Sequence, residues 1–219
     1  MMPLVRHFAL LWGLLGLEFA LVYCGADWIT AHHSIRLQLY GNFELAIPLV
    51  PFMVVPYMTM YAIFFCAPLV LKSRADLDRL AMAAAKVIAI AGIAFVALPA
   101  RLGFPPPDAA HSAWSPWLLL ARRVGLEYNL VPSLHVALFA LCASVYLTRV
   151  SSGARLGLVL WLATVAASTV LTHQHHLLDV IAGLALGIWG ARTALAPQSE
   201  GPQPQSAGII DSGGSQCSP

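Results

Sequence analysis

Charge is almost absent from long stretches of this chain, and that limits its folding options more than any other feature. Between Leu80 and Leu98 the only charged residue is Lys86, and between Phe8 and Tyr23 it is Glu18. Over the whole sequence 59% of residues are hydrophobic and 10% are charged, against roughly 25% charged in a soluble domain. Mean hydropathy is +0.75. The composition is that of an integral membrane protein, and a helical span needs about 20 apolar residues.

Hydropathy predicts six such spans. They run from Phe8 to Tyr23, Ile47 to Leu71, Leu80 to Leu98, Ser133 to Leu147, Leu156 to Leu171 and His176 to Leu195. The expected fold class is all-α, a polytopic membrane protein built as a six-transmembrane-helix bundle. The second span holds Pro48, Pro51, Pro56 and Pro68, so it is expected to kink, with neighbouring helices satisfying the freed carbonyls. The connection from Pro99 to Pro132 is the longest. Its Trp114, Trp117 and following leucines, then Arg122 and Arg123, read as a short helix lying in the membrane interface. Residues 1–196 are expected to form one membrane domain, and the Ser-, Gly-, Pro- and Gln-rich residues 197–219 a disordered tail.

Lysine and arginine set the expected orientation. Arg6, Lys72, Arg74, Arg79, Arg149, Arg155 and Arg192 fall on one side, and Arg36, Arg101, Arg122 and Arg123 on the other. The richer side is expected to be cytoplasmic and to carry both termini. In a bacterial inner membrane the other face is the periplasm. The apolar run after Arg6 and His7 lacks a small-x-small cleavage site and reads as a retained first helix. A net charge of +2 gives no basis for a nucleic-acid partner. Cys24, Cys66, Cys142 and Cys217 show no metal-ligand spacing and read as free thiols. No cofactor and no metal are implied, and no feature specifies an oligomeric state.

Two polar signatures interrupt this lipid-like chain: Pro132-Ser133-Leu134-His135, and Thr172 to Asp179 with His173, His175 and His176 inside it. Polar groups at the membrane edge are costly unless they are used. Six spans place the starts of the fourth and sixth on the same, non-cytoplasmic face, together with Arg101. Helix N-termini suit a phosphate. Ser133 offers a hydroxyl, the Leu134 position opens the helix, and Arg101 offers a planar fork. His175 and Asp179 are one helical turn apart and share a face. The carboxylate can hold one ring nitrogen and leave the other free to attack phosphorus. His135 can protonate the leaving oxygen. His173 and His176 read as local hydrogen-bonding residues.

These residues resemble the type 2 phosphatidic acid phosphatase superfamily over about Pro99 to Trp189. Pro132 to His135 matches its Pro-Ser-x-His motif, and His175 to Asp179 its His-x-x-x-Asp motif. The wording around the histidines is nearest the inositol phosphorylceramide synthase-like branch. The resemblance implies His175 as nucleophile, Asp179 as its orienter and His135 as acid. The first motif survives only as Arg101, because Ala94 and Leu102 stand where the family has lysine and proline. Thr169 likewise replaces the arginine after Ser168. Arg122 and Arg123 are then the substitute phosphate ligands.

The expected function is a metal-independent lipid-phosphate phosphatase acting through a phosphohistidine at the non-cytoplasmic face. Its partners would be a membrane lipid phosphate and the bilayer. A lipid head-group phosphotransferase shares the first half-reaction and is the alternative. A haem- or metal-binding membrane protein using His135 and His175 is the rival of another class; it would leave Ser133 and Asp179 without a role.

Overall fold

The computed structural model describes residues 2–106 and 112–196. The tail expected over residues 197–219 lies outside the described residues, as do Cys217 and His111. Nine α-helices are described: α1 (Met2–Ala31), α2 (Val54–Met58), α3 (Met60–Phe65), α4 (Ala67–Val70), α5 (Arg74–Ala97), α6 (Ser115–Gly125), α7 (Leu134–Leu147), α8 (Ser152–Leu171) and α9 (Leu177–Leu195). Four are long and apolar enough to cross a membrane: α1, α5, α8 and α9. Four of the six expected spans are therefore shown at full length. The segments Pro51–Phe65 and Leu134–Leu147 are apolar helical stretches of shorter length.

The shortening of the second segment has a local cause. Pro51, Pro56 and Pro68 supply no N–H to a helical ladder, and the segment breaks into α2, α3 and α4. Neighbouring helices hydrogen-bond to the broken segment. The Tyr146 hydroxyl of α7 donates to the Ile63 carbonyl at 3.0 Å. The Trp161 indole of α8 donates to Thr59 Oγ1 at 2.8 Å.

Charged contacts mark one end of the bundle. His7 meets Asp78 at 2.6 Å, so α1 and α5 start side by side and run in the same direction. Arg149, just past α7, reaches Asp76 at 3.0 Å. The opposite end is tied by different groups. Tyr23 OH donates to the Gly125 carbonyl, Asn129 Nδ2 to the Tyr23 carbonyl at 2.7 Å, and Arg36 lies 4.1 Å above the Tyr128 ring. Both chemical signatures sit at this second end. Leu10, Leu14, Leu17 and Leu21 form an exposed stripe on α1, as expected of a helix facing acyl chains.

α7 and α9 pack most tightly, and glycine permits it. A Cβ at Gly183 would lie 2.5 Å from the Ser133 carbonyl oxygen, and one at Gly187 2.2 Å from that of Ala137. Gly183 and Gly187 are four apart and face the same way, the small-residue spacing that lets apolar helices approach closely. Gly190, on the same stripe, meets Val87 of α5.

The N-terminus of α9 is fixed from outside by a stack of rings. Phe104 lies 4.0 Å from His173 and 4.4 Å from His176, and Tyr40 lies 4.1 Å from the other face of His176. Glu44 is 3% exposed and its Oε2 accepts from the Leu177 N–H at 2.8 Å, capping the helix. The same oxygen is 3.3 Å from His176 Nδ1, while His176 Nε2 accepts from the Gly103 N–H at 3.1 Å. His176 is thereby used as a neutral ring, and burial holds its pKa below the usual histidine value despite Asp179 and Glu44.

Two outcomes follow from this packing. Gly187→Ala should lower stability by about 1–3 kcal/mol by overpacking α7, and Gly157→Ala, whose Cβ would meet nothing within 4 Å, should not. Thermal unfolding of the purified protein reads both. The second concerns pH. Below about 6.5 the unfolded chain takes up a proton on His176 that the folded chain refuses. Stability should therefore fall as pH drops through and below that value, and the slope should flatten in His176→Gln.

Candidate functional site

Ser133 opens α7 as its N-cap, and its Oγ accepts from the Val136 N–H at 3.5 Å. Serine suits this role because its oxygen satisfies a donor that the first turn leaves unpaired. The residue is fully buried and its hydroxyl faces its own helix. Leu134 is the first residue of α7, and its side chain lines the cavity described below. His135 follows, packed face to face on Tyr57 at 4.2 Å and edge-on to Tyr61 at 5.7 Å. Its Nε2 is buried with no hydrogen-bond partner among the described residues. Buried polar atoms are nearly always satisfied, and an exception asks for a reason.

His175 stands just before α9. Its backbone N–H donates to the Thr169 carbonyl at 3.1 Å, which pins the loop to the end of α8. His173 in this loop has φ 57°, in the left-handed region that non-glycine residues rarely adopt. Its ring nitrogen Nε2 lies 3.0 Å from the Ile47 carbonyl. Burial and the nearby Arg122 charge both push its pKa down.

Asp179 completes the first turn of α9. Its Oδ2 lies 3.2 Å from His175 Nδ1 and also accepts the His176 N–H at 2.9 Å. The carboxylate therefore caps the helix and orients the ring. A carboxylate only accepts, so Nδ1 carries the proton and Nε2 keeps a lone pair. Both residues are buried, with Asp179 2% exposed. The Asp179 carbonyl accepts from the Ser133 N–H at 2.9 Å. This one backbone bond joins the two signatures.

His135 and His175 share the wall of one cavity of about 170 Å³. The rest of its lining is mostly apolar and comes from α1, α3, α5, α6 and α7. The site is thus an oriented imidazole and an unpartnered one at the polar end of an apolar cleft. Among the described residues no group of three or more His, Cys, Asp or Glu side chains is placed to hold a metal ion.

The three expected phosphate arginines stand outside this cavity wall. Arg101 is exposed, donating to Gln38 Oε1 at 2.5 Å, with its backbone paired to Leu37. Arg122 donates to the Pro105 carbonyl at 3.2 Å, and Arg123 is exposed on α6. The position where the family carries an arginine is equally occupied otherwise: Thr169 Oγ1 bonds back to the Ala166 carbonyl at 2.8 Å. Glu44, Phe104 and Tyr40, which fix α9 from outside, had no signal in the sequence beyond a lone acid and two aromatics in loops. Tyr57 and Tyr61, which hold His135, sit in the proline-broken segment whose helical phase the sequence does not fix.

No curated protein and no solved structure matches the chain. The family model described as PAP2 superfamily matches residues 80–198, which takes in both histidine signatures, most of α5, all of α6 to α9 and more than half of the chain. That family is generally one of phosphatases and phosphotransferases, an activity that suits a carboxylate-held histidine facing a second one. With its helices of membrane-spanning length and composition, the chain belongs to the PAP2 superfamily.

Proposed function

We propose that the protein is an integral membrane lipid-phosphate phosphatase that works through a phosphohistidine on His175. The observation that carries this reading is the buried His175–Asp179 pair opening onto an apolar cleft that also holds the free Nε2 of His135. In the first half-reaction His175 Nε2 attacks phosphorus. The bond from phosphorus to the lipid oxygen breaks, and His135, protonated once the anionic phosphate sits beside it, donates its proton to that oxygen. Asp179 keeps the proton on Nδ1 in place and stabilises the positive charge that develops on the ring. In the second, His135 takes a proton from water, the water oxygen attacks phosphorus, and the P–Nε2 bond breaks. Phosphate leaves and both histidines return to their starting states.

The phosphoryl oxygens would sit against the N-termini of α7 and α9, where first-turn N–H groups and the helix dipoles favour an anion. Ser133 and Leu134 supply that first turn. Arg101, Arg122 and Arg123 lie at the same end of the bundle, and their long side chains are the cations available to close over the phosphate. This cradle, a nucleophile, an acid and arginines, needs no divalent metal. If an alcohol resolves the phosphohistidine in place of water, the same residues perform head-group transfer, the chemistry of the inositol phosphorylceramide synthase-like branch.

The segregation of arginines supports a six-span topology with both termini cytoplasmic and the site on the opposite, periplasmic face. The short Pro51–Phe65 and Leu134–Leu147 segments would be its second and fourth crossings. Reporter fusions after Leu71 and Arg149 should read cytoplasm, and one after Phe104 the opposite side. The reverse pattern would place the site on the cytoplasmic face.

The covalent step is tested with a ³²P-labelled lipid phosphate in chelator. Wild type should form an acid-labile, base-stable adduct and release phosphate. His175→Ala should do neither. Asp179→Asn and His135→Ala should each lower turnover by roughly 10²–10⁴-fold, the usual scale for losing one acid–base partner. An adduct that persists in His175→Ala would move the nucleophile elsewhere.

A further inference from the structure

The cleft beneath the two histidines has a floor. On α1 it is lined by Tyr23, Phe19, Gly16 and Trp12, spaced so that they share one face of the helix. From Tyr23 to Trp12 the helix descends about 16 Å at ~1.5 Å per residue. Tyr23 is tied to the histidine end through Gly125. At the other end Trp12 meets Phe64 of α3 edge-on at 6.4 Å, and Phe8 packs under Trp12 at 4.6 Å. One side is closed as well, because Val22 fills the space beside Gly92 where α1 crosses α5. The other side is open enough that Tyr61 is 37% exposed.

The volume of about 170 Å³ is drawn out along the ~16 Å between Tyr23 and Trp12. In a slot of this length that is the width of one chain. Apolar walls give such a cavity no reason to hold water.

Resting on the lipid-phosphate reading above, we propose that Trp12 and Phe64 set the length of the single apolar chain the enzyme accepts, with Gly16 leaving the passage open above them. The phosphate end is held at His175 and His135. The chain enters from the bilayer past Tyr61, runs down the α1 face, and stops where the Trp12 and Phe64 rings meet. These are specificity-determining residues and take no part in the chemistry.

Gly16 makes the proposal testable without damage to the fold. A Cβ there would meet nothing within 4 Å, and Gly16 lines the cleft, so a larger side chain has open space at its root. The full chain, in phosphatidylcholine nanodiscs, is photolabelled with n-alkyl monophosphates of graded length that carry a diazirine at the methyl end. The label is mapped by mass spectrometry. In wild type a long probe should label α1 near Trp12 and α3 near Phe64. Gly16→Leu should cut that labelling roughly ten-fold or more, the usual cost of lost fit in an apolar pocket, while a short probe still labels. Trp12→Ala should move the label of a longer probe down towards Phe8. Equal labelling of wild type and Gly16→Leu by the long probe would overturn the proposal. So would wild-type label landing on the outward stripe of Leu14, Leu17 and Leu21. Labelling needs no turnover, so it is read independently of phosphate release by the wild-type chain. A chain that labels as expected yet releases no phosphate retains the gauge and loses the phosphatase reading. Turnover with label only on the outward stripe does the reverse.

Discussion

The contact of α7 with α9 is the constraint on which the site depends. Each helix brings one half of the chemistry, His135 on α7 and the His175–Asp179 pair on α9. Apolar helices in lipid gain little from hydrophobic association, so close packing and hydrogen bonds must hold them. Here the absence of a side chain at Gly183 and Gly187 brings α9 against the Ser133 and Ala137 carbonyls. The Ser133 N–H then reaches the Asp179 carbonyl. A helix separation larger by one methyl group would break that bond and part the two histidines.

The N-terminus of α9 concentrates unusual costs. Two carboxylates, Glu44 and Asp179, are buried there, each beside a buried histidine. Burying such groups is tolerable only when every lone pair has a donor. The helix end supplies donors: Asp179 takes the His176 N–H and Glu44 the Leu177 N–H, and the positive end of the dipole favours both anions. The two pairs nonetheless differ in what they leave free. His176 has both ring nitrogens engaged, by Glu44 and by the Gly103 N–H. His175 has only Nδ1 engaged by Asp179. Two histidines adjacent in sequence thus serve different ends, one locking the outer loops and one open to the cleft.

The apolar cleft shows how a broken helix can be useful. The prolines that fragment the second segment let α3 carry Tyr61 and Phe64 to the cleft while Tyr57 of α2 stacks on His135. A straight helix would present these rings with fixed helical phase. Neighbouring helices also tie the broken segment down, because Tyr146 of α7 donates to the Ile63 carbonyl and Trp161 of α8 to the Thr59 hydroxyl.

The sequence by itself determined the helical class, the approximate places of the apolar segments, the broken second segment and the two polar signatures that carry His135, His175 and Asp179. These follow from local rules: apolar run length, proline chemistry, and the cost of polar residues beside apolar runs. Only the tertiary structure decided what meets what. Glu44 caps a helix more than a hundred residues away, Tyr40 and Phe104 clasp His176, and Arg101 turns to Gln38. Ser133, read as a phosphate donor, faces its own helix as a cap. Such contacts depend on how loops fold back over helix ends. No local periodicity records that path, because it is fixed by the packing of the whole bundle.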